Sequence, residues 1–342
     1  MYEAENGEVQ MKEKTSNAKS NVWPYPQVLG TSRDDFSPEK LATCLKDALF
    51  GYTASADFII YILATHSHKQ CQAICRHYHL LTAQHLQTDV NKQLGGYMCD
   101  AALMLLQDKR EFIARNIHCE MKKKFADIAT FIELLGAQNN YNTQKIKEIF
   151  YKMYRCELDT AAEKEVHGHF QKIIALLLKT DRDESFKVDH QKVEEDAKVL
   201  RAAGIGIKYA SDAAVLFTFL NSRSYSHLKK MFEAYHRLTG KTIQEKIQNE
   251  FVTECFQHAL VLYVNIIEDP LAFYAEEIYK CLHNEEDQYE KLMRIFVLRL
   301  EVDLADINNV YFHLYGETLG SAMTKFGSGG YNILKYMLRE FT

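Results

Sequence analysis

The chain is 342 residues long, 47% hydrophobic and 25% charged, with 41 Lys+Arg against 46 Asp+Glu for a formal charge of -5. That length and apolar content allow two ordinary domains or one larger packed array, and the acidic balance does not favour generic nucleic-acid binding. No run approaches 18 consecutive apolar residues and the N-terminus lacks the basic-then-apolar pattern of a secretory signal, so the expected compartment is the cytosol.

Residues 1–33 read as a polar tail, rich in Asn, Ser, Lys and Glu up to Val22-Trp23-Pro24-Tyr25-Pro26. Trp23 is its one large anchor, suited either to packing on the protein's own surface or to recruiting a protein partner. From Phe36-Ser37-Pro38-Glu39 the pattern turns helical: Ser37 can cap, Pro38 suits a first turn, and Leu41, Cys44, Leu45 and Ala48 follow at steps of three and four. Interruptions near Gly51, Thr65 to Ser67, Thr82 and Gly95-Gly96 divide the next stretch into about five short helices. No convincing alternating strand follows. The charged segment after Lys179 reads as a linker, and Asp269-Pro270 stops one helix and opens another through Ala275, Ile278 and Leu282.

The helices fall into a fourfold register with no insertion inside it. From His66, Gln138, Arg223 and Arg299 as origins, eight residues on stand Ile74, Ile146, Met231 and Ile307, and twelve on Tyr78, Phe150, Tyr235 and Tyr311. Twenty on stand Leu86, Leu158, Ile243 and Leu319, and thirty on Gly96, Gly168, Thr253 and Gly329. One supersecondary unit copied four times explains this, each copy needing its neighbours to close a core. The expected division is 34–107, 108–180, a linker at 181–191, 192–268 and 269–342.

Catalytic and redox patterns are weak. The eight cysteines lack the paired spacings of a zinc site and read as reduced. Cys71 and Cys75 would share a helix face, as metal ligands or as small buried hydrophobes. Gly327-Ser328-Gly329-Gly330 is not followed by the Lys-Ser/Thr of a phosphate loop. No ordering of nucleophile, base and acid stands out, so an enzyme is not expected.

An all-helical array of four copies with a variable tail resembles the annexin family. The fourth copy carries the resemblance furthest, in Phe273 to Tyr279, Arg299 to Ile307 and Leu314-Tyr315-Gly316-Glu317-Thr318-Leu319. Phe36-Ser37-Pro38-Glu39 and Asn221-Ser222-Arg223-Ser224-Tyr225 add to it. The resemblance implies an all-α curved disc of five-helix repeats, whose convex face docks calcium loops on acidic phospholipid. It also implies structural roles for Arg223 and Arg299, each partly buried and paired with carboxylates; His66 and Gln138 replace them in the other copies.

The calcium chemistry departs from the family pattern. In annexins a Gly-x-Gly-Thr-Asp-like turn aims backbone carbonyls at the ion and a distant acid closes the site, as a cation wanting six to eight oxygens requires. The matching segments are Gly51-Tyr52-Thr53-Ala54-Ser55, Lys123-Lys124-Phe125-Ala126-Asp127, Lys208-Tyr209-Ala210-Ser211-Asp212 and Asn284-Glu285-Glu286-Asp287-Gln288, none with both glycines. At the acid's position stand Gln93, Glu165, Glu250 and Phe326, so only the second and third copies keep a carboxylate. Glu165 and Glu250 are either calcium closers or solvated, capping glutamates, with the third copy favoured because Ala210 and Ser211 are the mildest replacements, although Lys208 stands where its first loop glycine would be. Lys122, Lys123, Lys124, Phe125, Lys208 and Tyr209 could instead bind an acidic membrane directly, or be ordinary solvated loops. Two functions follow: a peripheral membrane organiser or linker with full or reduced calcium dependence, or a calcium-independent scaffold for a cytoskeletal or other protein partner.

Overall fold

The computed structural model describes residues 36–51, 56–123, 126–166, 168, 170–204, 214–250, 254–284, 288–325 and 331–338. Within those spans the side chains of residues 214, 250, 254, 331, 332, 335 and 336 are not described. The tail, with Trp23, lies outside the described residues.

Among the described residues there are twenty α-helices, five to a copy, and no strand. The first copy holds α1 (Pro38–Phe50), α2 (Ala56–Thr65), α3 (His68–Thr82), α4 (Leu86–Gln93) and α5 (Gly96–Leu106). The second holds α6 (Lys109–Met121), α7 (Ile128–Leu135), α8 (Asn140–Tyr154), α9 (Leu158–Glu165) and α10 (Phe170–Leu177). The third holds α11 (His190–Ala203), α12 (Ala214–Ser222), α13 (Tyr225–Thr239), α14 (Ile243–Glu250) and α15 (Glu254–Glu268). The fourth holds α16 (Pro270–His283), α17 (Tyr289–Arg299), α18 (Leu304–Tyr315), α19 (Leu319–Thr324) and α20 (Tyr331–Leu338).

The helix starts follow local chemistry. Ser37 accepts from the Lys40 amide with Pro38 in the first turn, and Asp269 accepts from the Leu271 and Ala272 amides with Pro270 behind it. Ser67 and Gln70 complete a reciprocal capping box at α3. The register then decides what is buried: all twelve residues at its eighth, twelfth and twentieth positions lie in the core, none more than 1% exposed. A further position recurs that sequence patterns do not display. Seventeen residues after each origin, Ala83, Arg155, Gly240 and Gly316 all take left-handed angles, φ 58°, 57°, 69° and 75°, to end the third helix of each copy. Glycine adopts this conformation freely, whereas Ala83 and Arg155 bear the steric strain of a side chain there.

In every copy the first helix packs on the third. Between copies, α2 meets α20 and α5 meets α17, joining the first to the fourth; α15 meets α7 and α10, joining the third to the second; α15 also meets α16. The copies thereby close a curved disc. The second and fourth copies meet through an ion pair whose carboxylate is buried, Arg294 Nε and Nη2 donating to Glu133 Oε1 and Oε2 at 2.7 and 2.9 Å. Tyr274 adds a hydroxyl bond to the Glu133 carbonyl at 2.8 Å. Burial alone would lower the Arg294 pKa, but the hydrogen bonds and charge of Glu133 outweigh it and raise it.

Replacing Arg294 by Met strands a carboxylate that is 2% exposed, and is expected to lower stability by about 3–5 kcal/mol in urea denaturation. Adding Glu133→Leu should recover most of the loss, because an apolar pair leaves no uncompensated charge. Ala83→Gly is expected to raise stability by about 1 kcal/mol through relief of the left-handed strain, and Gly316→Ala to lower it by about as much. Equal denaturation midpoints for the two glycine-exchange variants and the parent would refute the strain argument.

Candidate functional site

In the second copy the loop between the first and second helices meets the end of the fourth. Helix α6 ends at Met121, and Lys122 caps it, its amide donating to the carbonyls of His118, Cys119 and Glu120. The Lys122 side chain reaches across to the last residue of α9, where Nζ stands 2.8 Å from Glu165 Oε1. Lys123 turns back on its own helix, with Nζ 2.7 Å from Glu120 Oε2. The other oxygen of Glu120 accepts the Asp127 amide at 2.7 Å, so this buried carboxylate ties both ends of the turn. Asp127 in turn caps α7 through the Ala129 amide at 3.0 Å and the Thr130 hydroxyl at 3.0 Å.

These contacts bear directly on calcium. A divalent cation here would need the Glu165 carboxylate together with several inward carbonyls. An ammonium already pairs with that carboxylate, and Glu120 ties the described ends of the turn, so among the described residues Glu165 is not arranged to close an ion site. Beside them His118 stacks on Tyr154 at a centroid distance of 3.8 Å. Burial first and the Lys122 charge second hold its pKa below the usual histidine value, with Glu165 acting in opposition.

The remaining candidate positions divide. In the first copy Gln93 ends α4 exposed and uncharged. In the third, Glu250 is the last residue of α14, but its side chain, the loop with Lys208, Tyr209 and Ala210, and also Lys124 and Phe125 of the second copy lie outside the described residues. So do Glu285, Glu286, Asp287 and Phe326 of the fourth. Among the described residues no group of His, Cys, Asp and Glu is placed to hold a metal ion.

Both repeated arginines are paired. Arg223 binds Asp196 of α11 through Nε at 2.7 Å and Nη2 at 3.1 Å, and His227 Nε2 meets the same carboxylate at 2.9 Å. Arg299, 4% exposed, grips Asp303 one turn ahead with two hydrogen bonds and lies over the Tyr274 ring at 4.6 Å. Ala272 stands in the fourth copy where Asp196 stands in the third, so the acid has moved to the other side of the arginine while the pair persists. The replacements turn inward on their own helices, His66 Nδ1 to the Ile62 carbonyl at 2.7 Å and Gln138 Nε2 to that of Leu134 at 3.2 Å.

Sequence reasoning missed Glu120. The other copies carry Ala48, Ile205 and Cys281 at its register position, so comparing repeats points away from a carboxylate there. Its only signal is a lone acidic residue in the last turn of α6, beside a run of lysines.

The comparisons agree with this architecture. A family model described as Annexin matches residues 41–105, 112–177 and 195–262, within the first three copies. Annexin A3 of Homo sapiens is 30% identical over 306 residues, covering 89% of this chain and 94% of that protein. Annexin A5 of Gallus gallus is 28% identical over 307 residues, covering 90% and 95% respectively. The solved structure of annexin III superposes with a TM-score of 0.84 at 28% identity, covering 93% of this chain and 98% of that one, a span that takes in most of the fourth copy.

Calorimetric titration with calcium separates the two remaining carboxylates. Glu165→Gln is expected to leave any binding heat unchanged, because Lys122 already occupies the carboxylate, whereas Glu250→Gln should abolish it. Loss of the heat in Glu165→Gln would show that the lysine yields to the ion.

Proposed function

This chain belongs to the annexin family, and from that membership we propose that it binds acidic phospholipid membranes peripherally, with reduced dependence on calcium. The observation that carries the reading is the 2.8 Å contact between Lys122 and Glu165, an ammonium standing against the carboxylate that would close an ion site. A cation is thus present in the loop without calcium. Lys122 and Lys123 remain exposed, their side chains 57% and 61% accessible, so each ammonium can exchange its carboxylate for a lipid phosphate at a bilayer. A basic residue near an anionic leaflet contributes about 1 kcal/mol, so a cluster is needed for useful affinity. Lys208 supplies further charge at the register position of Lys123, Lys124 adds to it in the second copy, and Phe125 and Tyr209 suit the headgroup level.

Residual calcium response is assigned to the third copy, where Glu250 keeps its carboxylate and Ala210 and Ser211 replace the turn residues with small side chains. Membrane attachment is of the peripheral kind, in which loops touch the headgroups; no described helix is long and apolar enough to cross a membrane. From the cytoplasmic side such a disc would organise or link membranes.

Co-sedimentation with phosphatidylserine vesicles tests the reading, with millimolar calcium or with chelator, at low and physiological salt. Binding is expected to persist in chelator at low salt and to weaken at physiological salt, because exposed charges are screened over about 8 Å at 0.15 M. Reversing the charge at Lys122, Lys123 and Lys124 together should remove the chelator-resistant fraction. Pelleting only with calcium would overturn the lysine mechanism, and no pelleting in any condition would favour a scaffold that binds a cytoskeletal or other protein through its tail.

A further inference from the structure

The loss of the repeated arginine has unequal consequences in the two copies that lack it. In the first copy the His66 ring sits 5.7 Å from Phe36, and the neighbouring cavity is only about 10 Å³. In the second copy Gln138 is shorter than an arginine and folds back on Leu134, and it lines cavities of about 310 and 480 Å³. The smaller one holds Arg182, but that guanidinium is committed to the Leu220 carbonyl and the Tyr263 hydroxyl, both at 2.7 Å.

The larger cavity is differently provided. Lys69, Lys109 and Arg110 line it against two carboxylates, Asp108 and Glu301, while the Arg299 in its wall is neutralised by Asp303. Both carboxylates are already engaged. Asp108 caps α6 through the Arg110 and Glu111 amides at 2.9 and 3.2 Å, and Glu301 accepts the His68 amide at 2.7 Å. Lys109 reaches Glu301 only at 3.7 Å, and burial ahead of that carboxylate's opposing charge holds its pKa below the usual lysine value. Lys69 has no ion pair among the described residues. Arg110 donates to a neutral partner, the Asn142 side-chain oxygen, from Nε at 3.3 Å and Nη2 at 3.0 Å. The side chains of Asn139 and Asn142 bring further polar atoms to the same space.

We propose that this cavity, opened by Gln138 and walled by Lys69, Lys109 and Arg110, binds a soluble phosphomonoester anion. Guanidinium and ammonium donors match the oxygens of a tetrahedral phosphate, whose charge meets the wall's excess of three cations over two carboxylates, and the apolar Ile113, Ala137, Leu298 and Val302 of the lining suit an organic substituent. The volume holds such a group with a compact organic substituent. Lys109 and Arg110 open α6, whereas Lys122 stands beyond its other end. At 1.5 Å per residue the two sites are on the order of 20 Å apart. The cavity therefore faces away from the bilayer when the Lys122 loop is docked, which is the one point that rests on the proposed membrane function and is why the ligand is assigned to solution.

Calorimetry of the full chain with inorganic phosphate, against chloride at matched ionic strength, is the test. Saturable binding is expected, at least tenfold weaker in Arg110→Gln and in Lys69→Gln and unchanged in Lys122→Gln. Circular dichroism checks that each variant is folded. Absence of saturable binding, or equal binding by the three variants, overturns the proposal. Vesicles bearing phosphatidic acid, a lipid phosphomonoester, distinguish the source: sedimentation unaffected by Arg110→Gln supports a soluble ligand. Sedimentation lost in Arg110→Gln while inorganic phosphate fails to bind overturns it. Failure of the membrane reading instead registers at Lys122 to Lys124 and leaves the phosphate heat intact.

Discussion

The pairing of Glu133 with Arg294 is the constraint around which the four copies are arranged. Both residues occupy the same register position, five before the origin, in the second and fourth copies. Repetition thus places two equivalent side chains face to face across the disc, and opposite charge makes the encounter favourable where like charge would repel. Tyr61 and Thr218 stand at that position in the other two copies, so only one diagonal of the disc carries the pair. Removing two charges from water is expensive, and the bidentate geometry with the Tyr274 bond beside it is what offsets this. The pair specifies which surfaces meet more than it adds net stability.

The same logic of compensation runs through the repeated arginines. A guanidinium buried between helices needs a carboxylate, but it does not matter which helix supplies it: α11 does so in the third copy through Asp196, and α18 follows Asp303 in the fourth. Where the arginine is gone the polar replacement satisfies itself on the nearest carbonyl of its own helix. Histidine fills the vacated space in the first copy with a ring, and glutamine in the second does not. A repeat can therefore lose its ion pair and keep its core, while the missing volume becomes a cavity.

Electrostatics also divides the two ends of α6. At the C-terminal end, Lys122 and Lys123 meet carboxylates but remain in contact with solvent, which leaves them free to trade partners at a charged surface. At the N-terminal end, Lys109 and Arg110 are part-buried beside residues of the first and fourth copies and share their cavity with fewer carboxylates than cations. The first arrangement suits a broad, salt-sensitive surface and the second a small, selective ligand, because screening is strong outside the protein and weak within it.

Much of the fold was legible from the chain alone. Residues such as Ile74, Tyr78 and Leu86 recur at fixed steps because each copy buries the same faces, and short-range caps such as Ser37 and Asp269 depend on residues only two or three positions away. Other features were invisible. Ala83 and Arg155 share a left-handed angle with Gly240 and Gly316, yet nothing in their identity announces it. Glu120 has no counterpart in its sister copies. The partner of Lys122 is 43 residues away and that of Arg294 is 161 residues away, distances over which spacing along the chain carries no information about contact. Periodicity and local capping determined the helices, their fourfold repetition and the residues they bury. Only the packing of copy on copy decided which charges would meet, because an ion pair depends on proximity in space.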